Sequence, residues 1–289
     1  MSKHGIMVAV DGSAESDAAV RWAAREAVMR EADVTLVHVV APVVVTWPVG
    51  YLRSSFAESQ EENAQQAIEQ AQKIFQAEVG DAKLPGLKAR VVHDYVAPGL
   101  VSASRQAEMI VAGSRGLGAI SGSVLGSISR TLLHHAHCPV AVVHANETVA
   151  ADPTLPVLVG IDGSPASESA TALAFEEASR RGVDLVALHA WSDVGITPVL
   201  GMDWHEYEDL GNEVLAERLA GWQEQYPDVH IRRRIVCDRP ARWLVDESQH
   251  SALVVLGSRG RGGFAGMLLG SVSTAVAEAA KCPVLVVRS

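Results

Sequence analysis

Met7-Val-Ala-Val-Asp11-Gly-Ser13 recurs 151 residues later (162 − 11) as Leu158-Val-Gly-Ile-Asp162-Gly-Ser164. Each copy is a short apolar run closed by Asp-Gly-Ser, the pattern of a strand that runs into a turn and then a helix. The repeat continues outward from there. Leu36-Val-His38-Val39 returns as Ala187-Leu-His189-Ala190 at the same shift. Ile110-Val-Ala-Gly113-Ser-Arg-Gly116 returns as Val254-Val-Leu-Gly257-Ser-Arg-Gly260, now shifted by 144 (257 − 113). Leu125-Gly-Ser127 and Cys138-Pro-Val140 return at that second shift as Leu269-Gly-Ser271 and Cys282-Pro-Val284. The offset drops by seven (151 − 144), so the second copy is shorter between its second and fourth strands, where a loop or a helix end can be trimmed without disturbing a sheet. The chain thus divides into residues 1–145, a linker over 146–155 and residues 156–289. Each copy, at about 140 residues, is large enough to close its own core.

Within a copy, strand and helix alternate. Ile6 to Val10 is the first strand, and Ser13 is placed to cap the helix after it. In the second copy Pro165 takes the first helical position after Ser164. Val20, Ala23, Ala24, Ala27 and Val28 form that helix's apolar stripe. Val34 to Val40 is the second strand, followed by a helix reaching about Gln76, a strand from Lys88 to His93 and a short helix after Pro98. Met109 to Ala112, a glycine-rich loop, a helix from Ser127 and a strand from Val140 to His144 complete the copy. Five near-continuous apolar strands separated by helices imply an α/β fold, with a parallel sheet covered on both faces. Right-handed crossovers make an open doubly wound sheet the natural topology. In such sheets ligands bind beyond the carboxyl ends of the strands, where the winding reverses. Asp11, Gly113, Asp162 and Gly257 all lie at such ends.

Composition narrows the function. With 48% hydrophobic and 20% charged residues the chain has material for a packed core. Its apolar runs are of strand length, which predicts no membrane span, and no signal-peptide stretch precedes the first strand. Three cysteines are too few for a disulfide framework and fit a reducing interior, so a cytoplasmic location is expected. The formal charge of −10 argues against nucleic acid as a partner.

The glycine spacing points to chemistry. Gly113-x-x-Gly116, nine residues, then Gly126-Ser127 has its counterpart in Gly257-x-x-Gly260, nine residues, then Gly270-Ser271. A motif that appears twice in the same context is not a chance match. Glycine at a strand exit lets backbone N–H groups approach an anion, and Gly126 and Gly270 open helices whose N-termini point at the same place. The arrangement reads as a phosphate cradle.

The strand-ending Asp, the G-x-x-G-(nine)-G-S loop and the closing Cys-Pro-Val strand together resemble universal stress proteins, over nearly the whole chain and in two tandem copies. The resemblance implies a five-stranded parallel sheet of order 3-2-1-4-5, and the glycine pattern is that of the family's ATP-binding branch. It implies ATP as ligand, two per chain; whether Mg2+ accompanies it is left open. Carried over by position, Asp11 and Val39 meet adenine, while Gly113, Ser114, Arg115, Gly116, Leu117, Gly118, Ala119, Gly126, Ser127, Ile128 and Ser129 hold ribose and phosphates. The second site uses Asp162 and Ala190, with Gly257, Ser258, Arg259, Gly260, Arg261, Gly262, Gly263, Gly270, Ser271, Val272 and Ser273. Ala190 departs from the family's usual valine. Strand alternation puts Ala9 and Gly160 on the faces of Asp11 and Asp162, small enough for a flat ring. Arg115 and Arg259 are expected to offer positive charge to a triphosphate, and Asp193 to reach a ribose hydroxyl. Family members pair domains through the last strand, which implies an intrachain pseudo-twofold pair and, beyond it, a homodimer. The downstream protein partner is not legible.

Simpler readings suffice elsewhere. His134, His137 and Cys138 have metal-like spacing, but the second copy has Glu278, Lys281 and Cys282 there, so no metal site is expected. Cys138, Cys237 and Cys282 read as small hydrophobes, His38 and His189 as core or pocket-edge residues, and Arg232-Arg-Arg234 as surface charge. The chain has no G-x-x-x-x-G-K-[ST] and no placed catalytic base, so a regulator or sensor is favoured over an ATPase. Any hydrolysis is expected below roughly 1 s⁻¹. Replacing Gly113 or Gly257 by Ala is expected to remove binding at its own site with little change in ligand-free stability.

Overall fold

A computed structural model describes residues 5–42, 53–80, 82, 86–118, 125–145, 152, 154–191, 204–261 and 268–288. It contains two compact units, Met1–Ala145 and Asn146–Ser289. In the first, β1 (Ile6–Ala9), α1 (Ala14–Arg30), β2 (Val34–Val40), α2 (Arg53–Val79), β3 (Leu87–His93), α3 (Val96–Ala103), β4 (Met109–Gly113), α4 (Ser127–His135) and β5 (Val140–Val143) follow in order. Their sheet runs β3-β2-β1-β4-β5 with every neighbour parallel. The second unit repeats this as β6 (Val157–Gly160), α5 (Pro165–Arg181), β7 (Leu185–Ala190), α6 (Trp204–Gln225), β8 (Ile231–Val236), α7 (Pro240–Glu247), β9 (Leu253–Gly257), α8 (Ser271–Ala279) and β10 (Val284–Val287). Its strands run β8-β7-β6-β9-β10, again all parallel.

The winding follows from which helices meet. In the first unit α1 packs on α2, and α3 packs on α4. The chain winds from β1 outward through β2 to β3, then returns to the other side of β1 for β4 and β5. The carboxyl ends of β1 and β4 therefore flank the crevice where the direction reverses, as those of β6 and β9 do in the second unit. β1, β4 and β5 are almost wholly buried, as expected of strands covered on both faces.

Helix α1 shows how the sequence sets its ends. Ser13 stands at the N-cap with extended backbone, and its side chain accepts the N–H of Ser16. Ser164 does the same for Ser167 at α5. At the other end Glu31 adopts the left-handed conformation with φ of 51°, where the second unit has Gly182 at 62°. The buried stripe of α1 takes in Ala19, Trp22, Ala23 and Ala27. Val28, expected on that stripe, is 39% exposed because the stripe drifts off it in the last turn.

The seven-residue deficit of the second copy is now accounted for. α2 and α6 begin 151 residues apart (204 − 53), but α6 has 22 residues against 27 in α2. The connection to the next strand then supplies the other two, 226–230 against 80–86. α3 begins at Val96, earlier than the sequence suggested, because a proline needs no N–H partner in a first turn and so Pro98 fits inside it.

Candidate functional site

Each unit has a cavity at its reversal point. The first, of about 270 Å³, lies between Ala9, Asp11, Val39, Val96, Leu100 and the loop from Gly113 to Gly118, and closes on Gly126, Ser127, Ile128 and Ser129. The second, of about 920 Å³, is bounded by Gly160, Asp162, Ala190, Trp191, Leu244 and Leu256, with Gly257, Arg259, Gly260 and Arg261, and by Gly270, Ser271, Val272 and Ser273. Volumes of this order suit a small molecule. One wall of each is apolar and the other is backbone-rich and polar.

The polar end gains its character from what is missing. Gly126 and Gly270 are the N-caps of α4 and α8, and neither helix has a side-chain cap. An uncapped helix start carries unpaired N–H groups and a positive partial charge, so it favours an anion. α1 and α5 start nearby too, but their own serines satisfy them. Only α4 and α8, of these four, open uncapped onto the cavities.

Asp11 and Asp162 organise the loop. Asp11 Oδ1 accepts the N–H of Ser13 at 3.0 Å and its hydroxyl at 2.6 Å, and Oδ2 accepts the N–H of Leu117 at 3.1 Å. Asp162 Oδ1 accepts the N–H of Ser164 at 2.9 Å and Oδ2 that of Arg261 at 3.1 Å. There is no room for a Cβ at Gly116 or Gly260, because the carboxylate lies where it would go; at Gly260 the gap to Oδ2 is only 2.5 Å. Ser16 and Ser167 line the cavities from α1 and α5 and accept the N–H of Asp11 and Asp162. His38 Nδ1 meets the carbonyl of Val10 at 2.8 Å, and His189 Nδ1 that of Ile161 at 2.7 Å. A carbonyl can only accept, so Nδ1 carries the proton. Burial holds the His189 imidazole below its ordinary value, against the pull of that hydrogen bond.

Comparison with known proteins gives the same answer over the whole length. The universal stress protein family model matches residues 4–144 and again 154–288. A universal stress protein of Mycolicibacterium smegmatis is 56% identical over 287 residues, 99% of this chain and 98% of that protein. Universal stress protein Rv2005c of Mycobacterium tuberculosis is 51% identical over 287 residues, 99% of this chain and 97% of that one. The chain belongs to the universal stress protein family. The fold agrees: the crystal structure of a universal stress protein from Archaeoglobus fulgidus superposes with a TM-score of 0.71 at 20% identity, covering 100% of this chain and 99% of that one.

The structure gives several of the expected site residues a scaffold role in this universal stress protein. A Cβ on Gly113 would lie 2.6 Å from the backbone carbon of Glu15, and one on Gly257 would lie 2.6 Å from that of Ala166. These glycines admit the start of α1 and α5 as well as lining the cavities, so their replacement by Ala is expected to disturb folding first. A Cβ on Gly160 would meet Leu256 at 2.6 Å, so that leucine already requires its small size. The Ser129 hydroxyl donates to the Gly113 carbonyl at 2.5 Å, and that of Ser273 to Gly257 at 2.7 Å, which commits both protons to the scaffold. Arg115 lines the first cavity but is paired to Glu15 at 2.6 Å. Ser114 and Ser258 are buried and not among the lining residues. Ala119, Asp193, Gly262 and Gly263 lie outside the described residues.

The wall supplied by α3 and α7 was missed. Leu100 and Leu244 occupy it, and they match at the 144 shift, as Ser16 and Ser167 match at 151. Those coincidences were the available signal. Among the described residues no group of three His, Cys, Asp or Glu is arranged to hold a metal, and no helix is long and apolar enough to cross a membrane.

Proposed function

We propose that each unit, 1–145 and 156–289, binds one adenine nucleotide, ATP in the first instance, and that the protein acts as a nucleotide-responsive regulator. The observation that carries this is the contrast between the serine-capped α1 and α5 and the uncapped α4 and α8, whose open ends face a cavity with an apolar opposite wall. A ligand suited to both must be flat and apolar at one end and anionic at the other, as a nucleotide is. Val39, Val96 and Leu100 would receive the base in the first site, and Ala190, Leu188 and Leu244 in the second. Phosphates would lie against the N–H groups of Ser127 and Ile128, and of Ser271 and Val272.

Turnover is not what this arrangement favours. Asp11 and Asp162 spend their carboxylates on the loop, and the Nδ1 protons of His38 and His189 are held by carbonyls. The test is to purify the protein without added nucleotide, denature it, and identify and count what is released. About two molecules of ATP per chain supports two slow sites. If nothing is released, ATP at about 100 times its dissociation constant should still stabilise a site by about 2.7 kcal/mol. No release together with no thermal shift rejects the reading.

A further inference from the structure

The two cavities differ at the end assigned to the base. The first unit ends β2 with Val39-Val40, and at the shift of 151 the second ends β7 on Ala190 and goes on to Trp191. Val39 and Ala190 both line their cavities. Trp191 lines the second as well, whereas Val40 is not among the described lining residues of the first. The second site thus gives up the larger aliphatic side chain at one position and gains an indole at the next.

Backbone contacts fix where Trp191 stands. Its N–H donates to the Val236 carbonyl at 3.2 Å, which keeps it level with the end of β8. β6 lies between β7 and β9, so Trp191 is two strand spacings, roughly 10 Å, from the strand that leads into the glycine loop. That is the side of the base, away from the N-terminus of α8. The residue is half-buried and its Nε1 is buried, so what the ring offers the cavity is carbon and not a donor.

The wall formed by α7, which packs on β6 and β7, differs too. Asp238 and Arg239 lead into this helix with φ of 52° and 47°, a left-handed pair that is uncommon outside glycine. Tyr95, at the start of α3, is extended instead, with φ of −62° and ψ of 135°. After the left-handed turn, four successive residues from Arg239 to Arg242 line the second cavity. Of their counterparts 95–98, only Val96 is among the described lining residues of the first. The base end of the second cavity is therefore bounded by Trp191 and by the whole first turn of α7. Such a surface suits a flat ring, which gains by stacking on an aromatic face whatever the pattern of donors on its edge.

We propose that Trp191 recognises the base at the second site, stacking on the purine of the bound nucleotide. This rests on the nucleotide reading of that cavity. The indole supplies the contact that the exchange of valine for Ala190 removes, and it makes the second site respond to the base by its π-face.

The test reads the second site in the full chain. Ser127 is the exposed first residue of α4. An aspartate there suits the helix N-terminus but repels phosphate, so Ser127→Asp closes the first site and leaves the second to be titrated with ATP. Binding is expected to quench tryptophan emission. Adding Trp191→Phe should abolish most of that quench while the ATP affinity stays within about threefold, because a phenyl ring still stacks. Adding Trp191→Leu instead, apolar but without a π-face, should weaken ATP binding by at least about fivefold, the lower end of what a lost base–aromatic stack costs. A quench that survives Trp191→Phe, or a leucine variant that binds ATP as tightly as its parent, would overturn the proposal while leaving nucleotide binding intact. Loss of all ATP binding in Ser127→Asp would overturn it as well, since the second site would then hold no base. Failure of the unmodified chain to bind ATP would instead reject the nucleotide reading, and the role of Trp191 with it.

Discussion

Asp11 accepts the backbone N–H of Leu117 at 3.1 Å, tying the end of β1 to the glycine loop 106 residues further on. The same carboxylate holds both the N–H and the hydroxyl of Ser13, so one side chain fixes the β1 turn, the start of α1 and the loop. Asp11→Ala should therefore do more than remove a contact to a ligand. It should cost about 1–3 kcal/mol of stability and raise amide exchange at Leu117 and Gly118 in the absence of ligand. Unchanged exchange there would mean the loop holds itself.

Gly113 and Gly257 separate scaffold from cradle. Each leaves no room for a Cβ against the backbone of the helix that follows the unit's first strand. Gly113→Ala and Gly257→Ala should each destabilise the ligand-free protein by about 1–3 kcal/mol, the range seen when a packed core is overfilled. A urea midpoint equal to the parent's, with binding lost, would restore a direct role in holding phosphate.

The elements were legible because each obeys one strong rule. Apolar runs gave the strands, Asp-Gly-Ser marked the ends of β1 and β6, capping serines gave the starts of α1 and α5, and the change of repeat offset placed the shortening between the second and fourth strands. The site was legible only in outline. Spacing singled out Gly113 and Gly116 and strand alternation singled out Gly160, but neither says what fills the space beside them. In each case it is the protein's own Glu15, Asp11 or Leu256, brought there by contacts distant in sequence. The ion pair of Arg115 was hidden for the same reason, since its partner Glu15 lies 100 residues away (115 − 15).

Glu31 and Gly182 provide a matched pair at the ends of α1 and α5. Both are left-handed, and a Cβ on Gly182 would meet nothing within 4 Å, so any cost there is conformational alone. Glu31→Gly should stabilise by about 0.5–1 kcal/mol, and Gly182→Ala should destabilise by about 1 kcal/mol. Thermal midpoints moving in opposite directions would bear this out. A fall in both would show that Glu31 contributes something its backbone geometry does not reveal.

His189 sets a limit on acid stability. It is 4% exposed, its Nδ1 proton is held by the Ile161 carbonyl, and burial keeps its pKa below the ordinary value near 6.5. The unfolded chain therefore binds a proton at a pH where the native protein does not. The stability due to neutral His189 is complete above pH 6.5 and is lost as the pH falls through the lower native value. One proton limits the slope to about 1.4 kcal/mol per pH unit. His189→Gln keeps a donor for the carbonyl but cannot titrate. Urea midpoints measured between pH 7.5 and 5 should fall less steeply in that variant than in the parent. Parallel pH profiles would place the acid sensitivity in another group.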